Sequence, residues 1–130
     1  MKRIEIAEAQ RFFDRFVEAF ASFRGEDVAL RYRPPFLAVD APGGARAFTT
    51  SAAIAAYFQT TLDGYRAQGC ATCRYRDLQL ADLGGPVALL TVTWELLRTD
   101  GVVVHTWRES YVVVRQAGSL AVTASIDHAT

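Results

Sequence analysis

Glu109 is the side chain with the most chemical promise. Strand alternation sends it to the same face as Trp94, Trp107 and Tyr111. A carboxyl desolvated among rings rises in pKa toward values useful for giving and taking protons near neutrality. Asp40, just before Ala41-Pro42-Gly43-Gly44, is a second acid or base candidate at a cavity mouth, although an Asp in that context also organises a turn. His105 shares the Trp107 face and titrates near neutrality, but follows the turn residue Gly101 closely, at an end of a hairpin that solvent reaches. His128 is nearly terminal.

Cys70-Ala71-Thr72-Cys73 has the spacing of a redox pair. It follows a helix C-terminus, whereas a helix N-terminus is what lowers a thiolate pKa. A zinc site needs two further ligands, and the two scattered histidines do not supply them. No glycine-rich phosphate loop, nucleophile elbow or His-Glu-x-x-His helix occurs. The expectation is a site without metal or cofactor. Its wall would be built from Tyr32, Tyr57, Trp94, Trp107 and Tyr111, with Phe16 and His105 alongside: rings that contact an apolar ligand, with polar ends that orient it.

These residues need elements to carry them. Phe12, Phe16, Phe20 and Phe23, with Phe13 and Val17, recur at spacings of three and four, which predicts a helix over Ala7 to Phe23 closed by Gly25. Asp27 caps a short second helix through Tyr32, stopped by Pro34 and Pro35. Phe36 to Val39 and Ala45 to Phe48 read as a small hairpin. Thr49, Thr50 or Ser51 caps a third helix that keeps its period through Ile54, Phe58, Leu62 and Tyr65 until Gly69.

Beyond Gly69 the period changes to two, and strands are expected over Arg74 to Leu83, Val87 to Thr99, Val102 to Arg115 and Leu120 to His128. Asp100-Gly101 between two long β-rich runs is a strong hairpin signal. As a two-residue loop it sets Thr99 opposite Val102, Leu97 opposite Val104 and Trp94 opposite Trp107. Leu90, Val92, Trp94 and Leu96 then share a face with His105, Trp107, Glu109, Tyr111 and Val113. Thr91, Thr93, Glu95, Thr106, Arg108 and Ser110 occupy the other. A second hairpin closed at Ala117-Gly118 would put Arg108 opposite Asp127 and diagonal to Glu95, making a charge ladder on that polar face.

The chain has 130 residues, 51% hydrophobic and 22% charged, which suits one compact domain over 1–130. Fourteen Lys and Arg balance fourteen Asp and Glu, so no basic field exists to hold phosphates and nucleic acid is not an expected partner. Acidic residues interrupt the N-terminus before any apolar run of signal-peptide length, and no stretch is long enough to span a bilayer. A cytoplasmic protein with no membrane partner is the expectation.

An aromatic helix, a short helix ending at proline, a small hairpin, a third helix and four long antiparallel strands make an α+β order. It resembles the nuclear transport factor 2-like superfamily, the cone fold of ketosteroid isomerase, scytalone dehydratase and polyketide-cyclase-like proteins. The stretches that carry the resemblance are Phe12 to Phe20, Phe36 to Pro42 followed by Thr50 to Ile54, and Tyr111 to Arg115. The resemblance implies a cone-shaped, curved, mixed but mainly antiparallel sheet with three helices on its concave face, an enclosed cavity, and a homodimer through the outer sheet face. Ketosteroid isomerase chemistry needs a base, a tyrosine and a protonated acid. The tyrosine position falls at Phe16 and the base at Ala41, beside Asp40; the acid falls near Glu109. That reaction is therefore not expected. The reading is a cofactor-independent protein binding a small apolar or partly polar organic ligand, of isomerase, dehydratase or cyclase type through Glu109 with Asp40. The alternative is a noncatalytic homodimeric binding or accessory module.

Overall fold

The computed structural model describes residues 2–129. Its elements run α1 (Ile6–Ala21), α2 (Gly25–Ala29), β1 (Tyr32–Val39), β2 (Ala45–Phe48), α3 (Ser51–Ala67), β3 (Thr72–Asp82), β4 (Val87–Leu97), β5 (Val103–Gln116) and β6 (Ser119–Asp127). The six strands form one curved sheet in the order β2-β1-β6-β5-β4-β3, antiparallel except where β1 meets β6. The fold is α+β, a mixed and mainly antiparallel sheet with three helices over its concave face.

The phenylalanine stripe does what its period demands. Phe12, Phe13, Phe16 and Phe20 are all buried, and Phe13 and Phe16 pack edge-on or tilted against Trp94 and Tyr111 of the sheet, Phe13 also against Tyr75. The helix ends sooner than expected, at Ala21, because Phe23 itself takes the left-handed conformation at φ 54°. Gly25 opens α2 and does not close α1. Its lack of a side chain matters for a different reason: a Cβ there would stand 2.2 Å from the Ala55 carbonyl oxygen, so glycine permits α2 and α3 to touch. Gln59 of α3 joins them further, accepting from Gly25 N–H at 2.7 Å and donating to the Phe23 carbonyl at 3.0 Å.

The second helix stops at Ala29, and Tyr32 belongs to β1, not to that helix. Pro34 and Pro35 lie within this strand, where the pairing with β6 is broken between Tyr32 and Leu37. Proline, which has no N–H to donate, is tolerated at such an interruption. The Thr50 hydroxyl caps α3 by accepting from Ala53 N–H at 3.1 Å.

Trp94 and Trp107 are cross-strand partners, but the turn differs from the expected two-residue loop. Arg98 N–H bonds the Val102 carbonyl, leaving Thr99-Asp100-Gly101 as a three-residue loop with Gly101 at φ 84°. Leu97 therefore faces Val103, and a register shift before Leu96 restores the expected pairing with His105. At the next hairpin Arg115 and Leu120 pair as expected near the turn, and a bulge between Val112 and Val113 then leaves Thr123 unpaired. Asp127 consequently faces Glu109, not Arg108. The charge ladder does not form: Arg108 bonds Thr93 Oγ1 and the Asp77 carbonyl, while Glu95 pairs with Arg74 and Arg76. On the outer face Thr91 and Ser110 share a hydrogen bond of 2.8 Å, and His128 Nε2 lies 2.7 Å from Ser110 Oγ. Among the described residues no helix is long and apolar enough to cross a membrane.

Candidate functional site

Between the concave face and the helices lies a cavity of about 200 Å³. Room for many water-sized spheres admits a small organic molecule. The helices contribute Phe16 from α1 and Tyr57, Phe58 and Tyr65 from α3. The sheet contributes Tyr32, Trp94, Trp107, Glu109, Tyr111, Ser125 and Asp127, and the rim carries Asp40 and Arg46.

Glu109 sits 9% exposed on β5. Burial, and then the charge of Asp127, push its carboxyl up to about 8, against hydrogen bonds from Trp107 and Tyr111 that favour the charged form. Trp107 Nε1–H donates to Glu109 Oε1 at 2.8 Å. Trp94 Nε1–H donates to the Tyr111 hydroxyl at 2.6 Å, which leaves the phenol proton free to bond Glu109. Asp127 is also raised, chiefly by desolvation, while a hydrogen bond from Glu109 favours its charged form. At neutral pH the pair therefore retains a proton. Two carboxyls with distinct environments are the general pattern by which one becomes the acid and the other the base.

The phenols of Tyr32, Tyr57 and Tyr65 are held neutral, first by burial and then by the nearby carboxyl charges. Among the described residues none of their hydroxyls has a partner in the protein, and no sealed polar side-chain atom is orphaned, so these groups open on the cavity. At the mouth, the Arg46 guanidinium lies over the rings of Phe48 and Tyr57, 5.3 and 5.1 Å from their centroids.

Of the residues singled out in the sequence, Phe16, Tyr32, Tyr57, Trp94, Trp107, Glu109 and Tyr111 meet at this cavity. Asp40 reaches its rim, but its Oδ1 accepts from Gly44 N–H at 2.6 Å and holds the β1–β2 turn. His105 does not line the cavity; it is exposed and stacks on Trp107 with ring centroids 5.1 Å apart. Asp127, Ser125, Tyr65 and Arg46 also line it, and the sequence reading places none of them at a site. The period of two from buried Phe48 marks Arg46 as facing inward, whereas Asp127 is visible only once the Thr123 bulge is known.

Cys70 and Cys73 are buried free thiols. Desolvation raises both, Cys73 to about 12, opposite to the shift a reactive thiolate needs. Among the described residues no three His, Cys, Asp or Glu side chains converge as a metal site would require.

The family model described as NTF2-like protein (DUF6841) matches residues 7–130. No curated protein matches the chain. Among solved structures, a putative calcium/calmodulin dependent protein kinase II association domain from Xanthomonas campestris is 19% identical with a TM-score of 0.72, covering 98% of this chain and 89% of that one. An NTF2-like protein with a cystatin-like fold from Novosphingobium aromaticivorans is 14% identical with a TM-score of 0.73, covering 94% and 79%. A Catenulispora acidiphila protein in complex with S-DNPA is 19% identical with a TM-score of 0.72, covering 95% and 91%. At these identities the likeness is one of fold.

Proposed function

From the premise that this chain belongs to the NTF2-like DUF6841 family, we propose that it binds a small, partly apolar organic molecule in the aromatic cavity and moves a proton on it. The supporting observation is the Glu109–Asp127 pair at the cavity wall, one carboxyl holding a proton and the other able to take one. Such a pair suits enolisation beside a carbonyl, the elementary step shared by isomerases, dehydratases and cyclases. Asp127 removes the α-proton and Glu109 donates to the developing oxyanion, assisted by the tyrosine hydroxyls. Asp127 replaces Asp40 as partner in this reading, because Asp40 is committed to its turn.

The test is exchange of the α-protons of 2-tetralone with deuterium oxide, followed by nuclear magnetic resonance. The wild type should accelerate exchange, and Glu109→Gln or Asp127→Asn should lower the rate by about a hundredfold. Ketone that binds but exchanges at the same rate in wild type and variants would remove the catalytic reading.

A second reading, a homodimeric binding module, draws support from the outer sheet face. There Leu37 and Ile126, each 41% exposed, flank the polar centre at Thr91 and Ser110. Light scattering at micromolar concentration should find a dimer, and Leu37→Asp with Ile126→Asp a monomer.

A further inference from the structure

We propose that the cavity selects a small organic amine, its ammonium seated against the Glu109–Asp127 pair and its apolar body among the rings. This rests on the cavity reading given above and not on the proton transfer, since a carboxylate that holds an ammonium is an anchor and not a free base. Charge is the first reason. The groups at the cavity that carry full charge are Asp40, Arg46 and the carboxyl pair. With one proton on the pair these sum to an acidic interior, and Arg46 already spends its face on Phe48 and Tyr57. An anion would meet repulsion from Asp127, whereas a cation gains an ion pair away from bulk solvent, where screening is weak.

The wall is the second reason. Trp94, Trp107, Tyr32 and Tyr65 line the same space, and aromatic enclosures favour organic cations through their quadrupoles. The third is a set of idle acceptors. Tyr32 and Ser125, each 7% exposed, line the cavity with hydroxyls that have no partner in the protein among the described residues. An ammonium has three N–H donors and no acceptor. Asp127 can take one and these two hydroxyl oxygens the others, whereas a neutral alcohol brings a single donor and forms no ion pair with Asp127.

The experiment compares 2-(aminomethyl)naphthalene with 2-naphthalenemethanol, the same ring system with and without the cation, by calorimetry at neutral pH. In the wild type the amine should bind about tenfold more tightly or better, the scale of a hydrogen bond to a charged group. In the Glu109→Gln, Asp127→Asn double variant the two should bind alike, and retained binding of the alcohol reports that the variant cavity is folded. Alcohol binding as tight as amine in the wild type would overturn the amine inference and leave the cavity reading standing. Amine preference that survives in the double variant would place the cation elsewhere and overturn it too. Binding of neither probe to the wild type would remove the cavity reading together with this one.

Discussion

Asp127 of β6 stands opposite Glu109 of β5 because one residue, Thr123, drops out of the ladder between them and the turn. Without that bulge Asp127 would lie opposite Arg108 on the outer face, as an exposed ion pair of small energetic consequence. With it, two acids meet at a buried cavity wall and their ionisation becomes coupled. Bulges re-aim side chains in this way and concentrate next to active sites.

The coupled acids should make the protein less stable as pH rises. Glu109 titrates near 4.5 when unfolded and about 8 when folded, and Asp127 is shifted in the same direction. A group raised on folding contributes its full stability below its unfolded pKa and loses it as pH climbs through the folded one. Thermal melts should therefore show a falling Tm between about pH 5 and pH 9, by an amount worth on the order of a few kcal/mol. Glu109→Gln should flatten that slope. The ion-paired carboxyls Glu8, Glu95 and Asp100 are lowered instead and act at more acidic pH, outside this window. A wild-type Tm that rises across the interval would contradict the shared-proton arrangement.

Removing the Tyr111 hydroxyl should cost stability and also change the acid. Tyr111→Phe leaves the buried Trp94 N–H without its 2.6 Å acceptor, a loss of about 1–3 kcal/mol. It also deletes a hydrogen bond that favours ionised Glu109, so the apparent pKa of that carboxyl should climb further. Denaturant melts measure the first effect. Carbon-detected titration of labelled glutamate measures the second, and an unmoved pKa would mean that the phenol does not bond Glu109.

How far these features were legible depends on what each residue has to satisfy. The α1 stripe and the cap at Thr50 obey local periodicity and local hydrogen bonding, so sequence alone places them. The tryptophan pair was legible although its turn was not. The three-residue loop displaced the register by one at Leu97 and Val103, and the unpaired Val104 displaced it back. No second shift compensates the Thr123 bulge, so counting by twos from the turn sends Asp127 to the wrong face. Tyr32 escapes the sequence reading for a related reason: α2 already stops at Ala29, and the prolines lie inside β1, beside an irregular pairing that sequence alone does not reveal.

Gly25→Ala should be far more damaging than an ordinary substitution at a short helix's first residue. The added methyl would sit 2.2 Å from the Ala55 carbonyl oxygen and 2.7 Å from the Gln59 nitrogen. Both are backbone atoms of α3 that cannot rotate away. Forcing α2 off α3 should cost about 1–3 kcal/mol or more and widen the cavity, because Val28 of α2 and Tyr57, Phe58 and Leu62 of α3 share its wall. Gly64→Ala on the same helix, where a Cβ meets nothing within 4 Å, is the control and should be neutral or slightly stabilising.

Arg115 should decide whether the first residues stay docked. Its guanidinium donates to both carboxylate oxygens of Glu8, at 2.9 and 2.6 Å, and to the carbonyls of Lys2 and Arg3, at 2.6 and 3.1 Å. One fork thus ties the segment before α1 and the first turn of that helix to β5, next to the point where Ile4 is buried at 2% exposure. Lysine cannot reproduce this, since a single ammonium lacks the planar geometry that meets a carboxylate and two carbonyls together. Arg115→Lys and Arg115→Gln should both speed amide hydrogen exchange at Ala9, whose N–H bonds the Glu5 carbonyl at 3.1 Å, while leaving exchange in β4 unchanged. Equal protection at Ala9 in wild type and Arg115→Gln would show that burial of Ile4 anchors the segment without the fork.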